Sequence, residues 1–139
     1  MHCTVGVDIG GTTTKAVLVD ASGRTLKTRR VGTPGPDRAA GADSVDQIVE
    51  TVAALVKELI DAAPHRVTAV GVAVPGVVDE ARGTAVWSEN LRWRDVPFAD
   101  LLAQRDRLAR DQDVVAVVQA DQRRCGDGGH GFSLSPSAL

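Results

Sequence analysis

Cysteine is scarce in this chain of 139 residues: there are two, Cys3 and Cys125, near opposite ends. Neither has a neighbour at paired-ligand spacing, which excludes a disulfide framework and a cysteine-based zinc module, so both read as free thiols. Tyrosine is absent and aromatics make up only 3% of the residues, so any core must rest on Val, Leu, Ile and Ala. No apolar run approaches the ~20 residues needed to cross a bilayer. Met1-His2-Cys3-Thr4 leads straight into an apolar strand without a basic, then apolar, export signal, and the cytoplasm is the expected compartment. An excess of either charge is also missing: 16 Lys and Arg face 18 Asp and Glu, for a net charge of −2. Without a global basic field, neither nucleic acid nor an acidic membrane is an expected partner.

What is present suits one globular domain or part of a larger one, at 43% hydrophobic and 24% charged residues. Residues 4–8 alternate small and apolar groups and read as a strand. A Gly- and Thr-rich turn follows, and Lys15 to Asp20 resume β-branched, apolar character. Ala21-Ser22-Gly23 marks a second turn before Arg24 to Val31, an alternating and more exposed strand. Short turns imply antiparallel neighbours. Gly32, Pro34, Gly35, Pro36 and Gly41 make residues 32–42 a surface loop. From Val45 to Ala63 the apolar residues fall at i, i+3, i+4, i+7, one helical face, with Ser44 and Gln47 as a capping box and Pro64 as the stop. Val67 to Val74 is a near-continuous apolar run closed by Pro75-Gly76, the pattern of a strand buried on both faces. Reached through a helix, it is expected to pair in parallel with an earlier strand. The order is therefore β-β-β-α-β in an α/β fold. A short strand is expected at 84–88 and a second helix from Phe98 to Gln104 after Pro97. Past Arg105 the pattern weakens, with one apolar run at 114–118 and then a glycine- and serine-rich end.

The chemistry concentrates at Asp8-Ile9-Gly10-Gly11-Thr12-Thr13-Thr14-Lys15. Glycines let a tight turn bring backbone N–H groups against an anion, threonine hydroxyls add donors, and Lys15 adds a positive charge. Asp8 at the strand end suits Mg²⁺ held through water. Two glycines alone would be explained by hairpin chemistry, but the acid before them and the lysine after them favour a nucleotide's β- and γ-phosphates. The run is not a Walker A loop, because neither its spacing nor a following helix is present.

Val5 to Lys15, Val-Gly-Val-Asp-Ile-Gly-Gly-Thr-Thr-Thr-Lys, resembles the first phosphate motif of the ROK family of bacterial sugar kinases and sugar-responsive repressors, within the actin/hexokinase ATPase superfamily. Val70-Gly-Val-Ala-Val-Pro-Gly-Val-Val-Asp79, then Gly83, then Trp87 to Pro97, is similar to a second block of that family at the right distance. The resemblance covers residues 4 to 104 and implies the N-terminal lobe of a ribonuclease-H-like fold, with a mixed sheet flanked by helices. It implies ATP and Mg²⁺ as cofactors, bound by Asp8, Gly10, Gly11, Thr12, Thr13 and Lys15. A hexose such as glucose is the implied substrate, met by Gly76, Glu89 and Asn90; the amide of Asn90 both donates and accepts, which suits a hydroxyl-rich ligand. The chain is thus expected to be a truncated, glucokinase-like sugar kinase that is inactive alone, or a non-catalytic sugar-binding relic. Trp87 and Trp93 are read as packing residues, and His2 and His65 as ordinary surface residues.

The departures from the family fall late in the chain. Family kinases are about twice as long and carry a catalytic Asp in an Asn-Asp pair after the next strand. Here the run at 114–118 is followed by Gln119-Ala120-Asp121-Gln122, so Asp121 is the one candidate base, with Ala120 where Asn is usual. The family's zinc motif has no counterpart; Cys125 and His130 cannot replace four ligands, and no zinc site is expected. The glycine-rich stretch 126–131 reads as a flexible tail. Residues 1–110 are assigned to the lobe and 111–139 to a divergent tail. The face turned toward the absent lobe is expected to lower stability or promote self-association.

Overall fold

Eight residues of alternating small and apolar groups carry strand β1, His2–Ile9, through the centre of the protein. In the computed structural model, which describes residues 1–34, 42–105 and 115–120, β1 pairs antiparallel with β2 (Thr13–Asp20), and β2 pairs antiparallel with β3 (Thr25–Gly32). Helix α1, Ala42–Ala62, then crosses over to β4, Arg66–Val74, which lies parallel to β1 on its other side. The expected β-β-β-α-β order and both pairing senses are therefore observed. Strands β5 (Val77–Asp79), β6 (Thr84–Ser88) and β7 (Trp93–Val96) form a separate antiparallel sheet in the order β5-β6-β7. Helix α2, Phe98–Ala103, follows, and β8, Val115–Ala120, joins β4 in parallel, completing the order β3-β2-β1-β4-β8 in the larger sheet.

Register explains which residues form the core. Val5 faces Leu18 and Val70 across the two pairings, and Val7 faces Ala16 and Val72, so these side chains share one face of the sheet. All of them are buried, together with Ile48, Val49, Val52, Val56 and Leu59 from the apolar stripe of α1. Burial of aliphatic side chains at about 1.5–3 kcal/mol each is what holds helix to sheet in a molecule with so few aromatics. Arg29 of β3 reaches Glu58 of α1 at 3.0 Å, and Arg105 beyond α2 donates to Glu50 at 2.6 Å, linking the two helices. These exposed pairs orient the helices and add little energy.

One local expectation needs correction. The helix begins at Ala42, so Ser44 lies inside its first turn and does not precede it as an N-cap. Alanine has the highest helix propensity, which lets the first turn extend back past the serine.

Two turns give testable consequences. At the β2–β3 turn the Asp20 carboxylate accepts from the Ser22 hydroxyl at 2.6 Å, the Ser22 N–H at 2.9 Å and the Arg24 N–H at 3.0 Å, while Gly23 takes φ +89°. The Ser22 hydroxyl and then the Arg24 N–H hold the carboxyl below its ordinary value. A depressed carboxylate contributes stability above its unfolded pKa and loses it as pH falls through the lower folded value. Asp20→Ala is therefore expected to be less stable than the parent at neutral pH, with the gap closing on acidification in urea titrations. At the start of β6, Gly83 has φ +63°, and a Cβ there would run into the Ala99 side chain, whose own N–H donates to the Gly83 carbonyl at 3.1 Å. Gly83→Ala is expected to cost about 2–4 kcal/mol in the same assay.

Candidate functional site

Parallel strands end on the same side of a sheet, and ligands of open α/β sheets bind beyond those carboxyl ends. Asp8 near the end of β1 has Ala73 of β4 as one register partner and Lys15 of β2 as the other. The β1–β2 turn and the Pro75-Gly76 turn after β4 therefore leave the sheet at one edge. The second block of residues singled out in the sequence arrives at the same edge as the first.

The β1–β2 turn is held from within and from β3. The Gly10 N–H donates to the Thr13 carbonyl at 2.9 Å, and the Thr33 N–H donates to the Thr12 carbonyl at 2.9 Å. The Thr33 hydroxyl donates to the Gly10 carbonyl at 2.8 Å and lies 2.7 Å from the Thr14 hydroxyl. The two glycines then differ in purpose. A Cβ on Gly10 would sit 2.5 Å from the Thr13 carbonyl oxygen, so the closed turn itself requires glycine there. Gly11 is exposed, is not among the residues with positive φ, and a Cβ on it would meet nothing within 4 Å. Neither backbone strain nor packing demands glycine at position 11, and its backbone is open to close approach.

Around this turn Thr12, Thr13 and Lys15 are exposed and Asp8 is half-buried. Thr14 is 1% exposed and faces Thr33, so its hydroxyl belongs to the scaffold. Because its amide is engaged inside the turn, Gly10 serves by shape; the neighbouring Gly11 is free of any such fit. Hydroxyls, an ammonium and a glycine-opened backbone form a donor set suited to an anion with several oxygens.

At the second turn Gly76 takes φ +121°, and a Cβ would run into the Trp87 carbonyl oxygen. Glycine is obligatory for this approach, which packs the Pro-Gly turn against the backbone of Trp87 and Ser88. Beyond Ser88 the chain turns tightly: the Leu91 N–H donates to the Ser88 hydroxyl at 3.4 Å, the Arg92 N–H to the Glu89 carbonyl at 3.2 Å, and Arg92 takes φ 55°. Glu89 and Asn90 occupy the exposed part of this turn, with carboxylate and amide accessible to a ligand.

Other sequence expectations divide. Trp93 is 1% exposed and stacks on Phe98 at a ring-centroid distance of 5.5 Å, as a packing residue should. Trp87 is 44% exposed, because its register partners Val77 and Arg94 are also on the exposed face of the small sheet, so no packing partner within the described residues covers it as Phe98 covers Trp93. Asp121, Cys125, His130 and the glycine-rich stretch 126–131 lie outside the described residues. Ala120, the residue before Asp121, is the register partner of Val74. A surface depression of about 350 Å³ lies at the opposite end of the sheet, lined by Asp20, Arg24, Leu26 and His65, away from both turns. Thr33 is the neighbour of this turn that sequence reasoning missed: nothing local distinguishes it from any threonine between a strand end and a proline.

Comparison with known proteins agrees with this fold. The ROK family model matches residues 4–117. A glucokinase of Streptomyces coelicolor is 32% identical over 132 residues, covering 94% of this chain and 38% of the relative. The crystal structure of a ROK family glucokinase from Streptomyces griseus in complex with glucose and AMPPNP superposes with a TM-score of 0.67 at 36% identity, over 85% of this chain and 33% of that one. A putative xylose repressor of Caldicellulosiruptor is 27% identical over 104 residues, covering 73% of this chain and 25% of the repressor. The chain thus spans little more than a third of the glucokinase it matches.

The contrast between the two glycines is open to direct test. Gly10→Ala is expected to destabilise the fold by about 1–3 kcal/mol, because the turn must open to accept the methyl group. Gly11→Ala is expected to leave the unfolding free energy within about 0.5 kcal/mol of the parent in urea titrations. Equal losses of stability in the two variants would remove the case for a ligand at Gly11.

Proposed function

The chain belongs to the ROK family, and from that premise we propose that it is the N-terminal lobe of an ATP-dependent hexose kinase, acting on a sugar such as glucose. The observation that carries the proposal is Gly11, a glycine with no structural need to be one, set between Asp8 and Lys15 at the edge where the sugar block also arrives. In this reading Gly11 lets the nucleotide's β- and γ-phosphates approach the backbone, while Thr12, Thr13 and Lys15 donate to their oxygens. Gly10 shapes the turn. Asp8 would hold Mg²⁺ through water, and the cation would supply charge that offsets that of the phosphates.

On the sugar side, Gly76 offers backbone to the ligand, and Glu89 and Asn90 hydrogen-bond to hydroxyls. Asp121 is the candidate general base, taking the proton from the attacking sugar hydroxyl as its oxygen bonds to the γ-phosphorus and ADP departs. Phosphoryl transfer depends on positioning and on exclusion of water, which in two-lobed kinases comes from closure of one lobe on the other. Because the chain spans 38% of its glucokinase relative, turnover is proposed to require the remaining length. A second reading, a sugar-binding regulatory protein without catalysis, draws on the likeness to the xylose repressor.

Calorimetry with Mg-ATP and with glucose separates these readings. The kinase-lobe reading expects both ligands to bind, Gly11→Ala and Asp8→Ala to abolish the nucleotide heat, and Asn90→Ala to weaken glucose by roughly tenfold or more. Glucose binding with no nucleotide binding supports the regulatory reading. Steady glucose phosphorylation by the 139-residue chain would overturn the requirement for further length.

A further inference from the structure

The hydrogen bonds at the β1–β2 turn have a direction that the distances alone leave open. A threonine hydroxyl carries one proton and two acceptor lone pairs. The Thr33 hydroxyl spends its proton on the Gly10 carbonyl at 2.8 Å, so the 2.7 Å contact with Thr14 must be donated by Thr14. The chain therefore runs from Thr14 to Thr33 to Gly10, each bond polarising the next. Thr14 is 1% exposed, which protects the relay from competition by water.

The relay ends on a peptide plane that matters. A trans peptide is planar, with the carbonyl of one residue antiparallel to the N–H of the next. Fixing the Gly10 carbonyl toward Thr33 points the Gly11 N–H the opposite way. Glycine at both 10 and 11 leaves this peptide unit without side-chain constraints of its own, and peptide units flanked by glycine rotate more freely than others. Thr33 also donates its own N–H to the Thr12 carbonyl at 2.9 Å, so one residue of β3's end grips the turn at two carbonyls.

We infer that Thr33 is a positioning residue of the phosphate site: its hydroxyl, supplied by Thr14, fixes the Gly10–Gly11 peptide so that the Gly11 N–H stands ready to donate to a phosphate oxygen. Thr33 touches no ligand in this scheme. It acts by removing the conformational freedom that binding would otherwise have to remove. The inference rests on the reading of this turn as a phosphate site for its purpose, but its structural part can be tested without any ligand.

The test compares the parent, Thr33→Val and Thr33→Ser by amide relaxation in NMR and by Mg-ATP calorimetry. Valine preserves shape and removes the hydroxyl, whereas serine restores it. The Gly11 amide order parameter is expected to fall in Thr33→Val, with the amides of β1 and β4 unchanged, and to return in Thr33→Ser. Nucleotide affinity is expected to weaken roughly tenfold in the valine variant and to recover with serine, while glucose affinity stays constant. An unchanged Gly11 order parameter in a folded Thr33→Val protein overturns the inference, as does unchanged Mg-ATP affinity where the parent binds. If the parent binds no nucleotide, the functional reading fails, and the order parameters alone then decide whether Thr33 positions the turn. Should the valine variant fail to fold, Thr14→Val, which removes only the supply to Thr33, is measured instead, with the same change at Gly11 expected in smaller degree and its absence counting against the inference.

Discussion

Parallel pairing of β1 with β4 is the constraint on which the rest of the molecule depends. It sets Asp8 beside Ala73 and so brings two turns, more than sixty residues apart in sequence, to one edge of the sheet. A parallel pair cannot be closed by a hairpin, and the 21 residues of α1 supply the crossover. The apolar stripe of α1 is in turn what makes the crossover cohere, since Val49, Val52, Val56 and Leu59 are buried against the strands. The site is thus a consequence of aliphatic packing elsewhere.

Four glycines around this edge do different work. Gly10 and Gly76 are required by close backbone approaches, Gly83 by a left-handed backbone set against Ala99, and none of these needs a ligand to explain it. Gly11 differs from these three, since its surroundings, like those of the exposed Gly32, would admit a methyl group. Glycine weakens a folded chain through backbone entropy unless something demands it. At Gly11 the fold makes no such demand, and its open backbone is what the proposed phosphate site uses. The same reasoning separates Thr14, committed to Thr33, from its exposed neighbours Thr12 and Thr13.

Much of the fold was legible because its signals are periodic. Alternation identifies β1 and β3, β-branched apolar character identifies β2, the 3.6-residue stripe identifies α1, and a near-continuous apolar run identifies β4 as a strand buried on both faces. The motif at residues 8–15 and the block at 70–97 were legible as local chemistry. What local sequence could not convey was contact at a distance. Thr33 meets Gly10 across 23 positions, and no spacing rule connects a threonine at a strand end to a carbonyl in another hairpin. The exposure of Trp87 is set at a distance too: register places it opposite Val77 and Arg94 on an exposed face of the small sheet. The Ser44 cap failed because capping chemistry competes with propensity, and Ala42 extends the helix past it.

The central claim is that the turn between β1 and β2 is a phosphate cradle built around Gly11. The most direct measurement is a titration of the isotope-labelled chain with Mg-ATP, followed by amide chemical shifts. The account predicts that the largest changes fall on Gly11 and Thr12, with smaller ones at Lys15 and almost none at the opposite end of the sheet around Asp20 and His65. Shifts centred on Asp20 and His65, or Gly11 and Thr12 unmoved while nucleotide binds elsewhere, would contradict it.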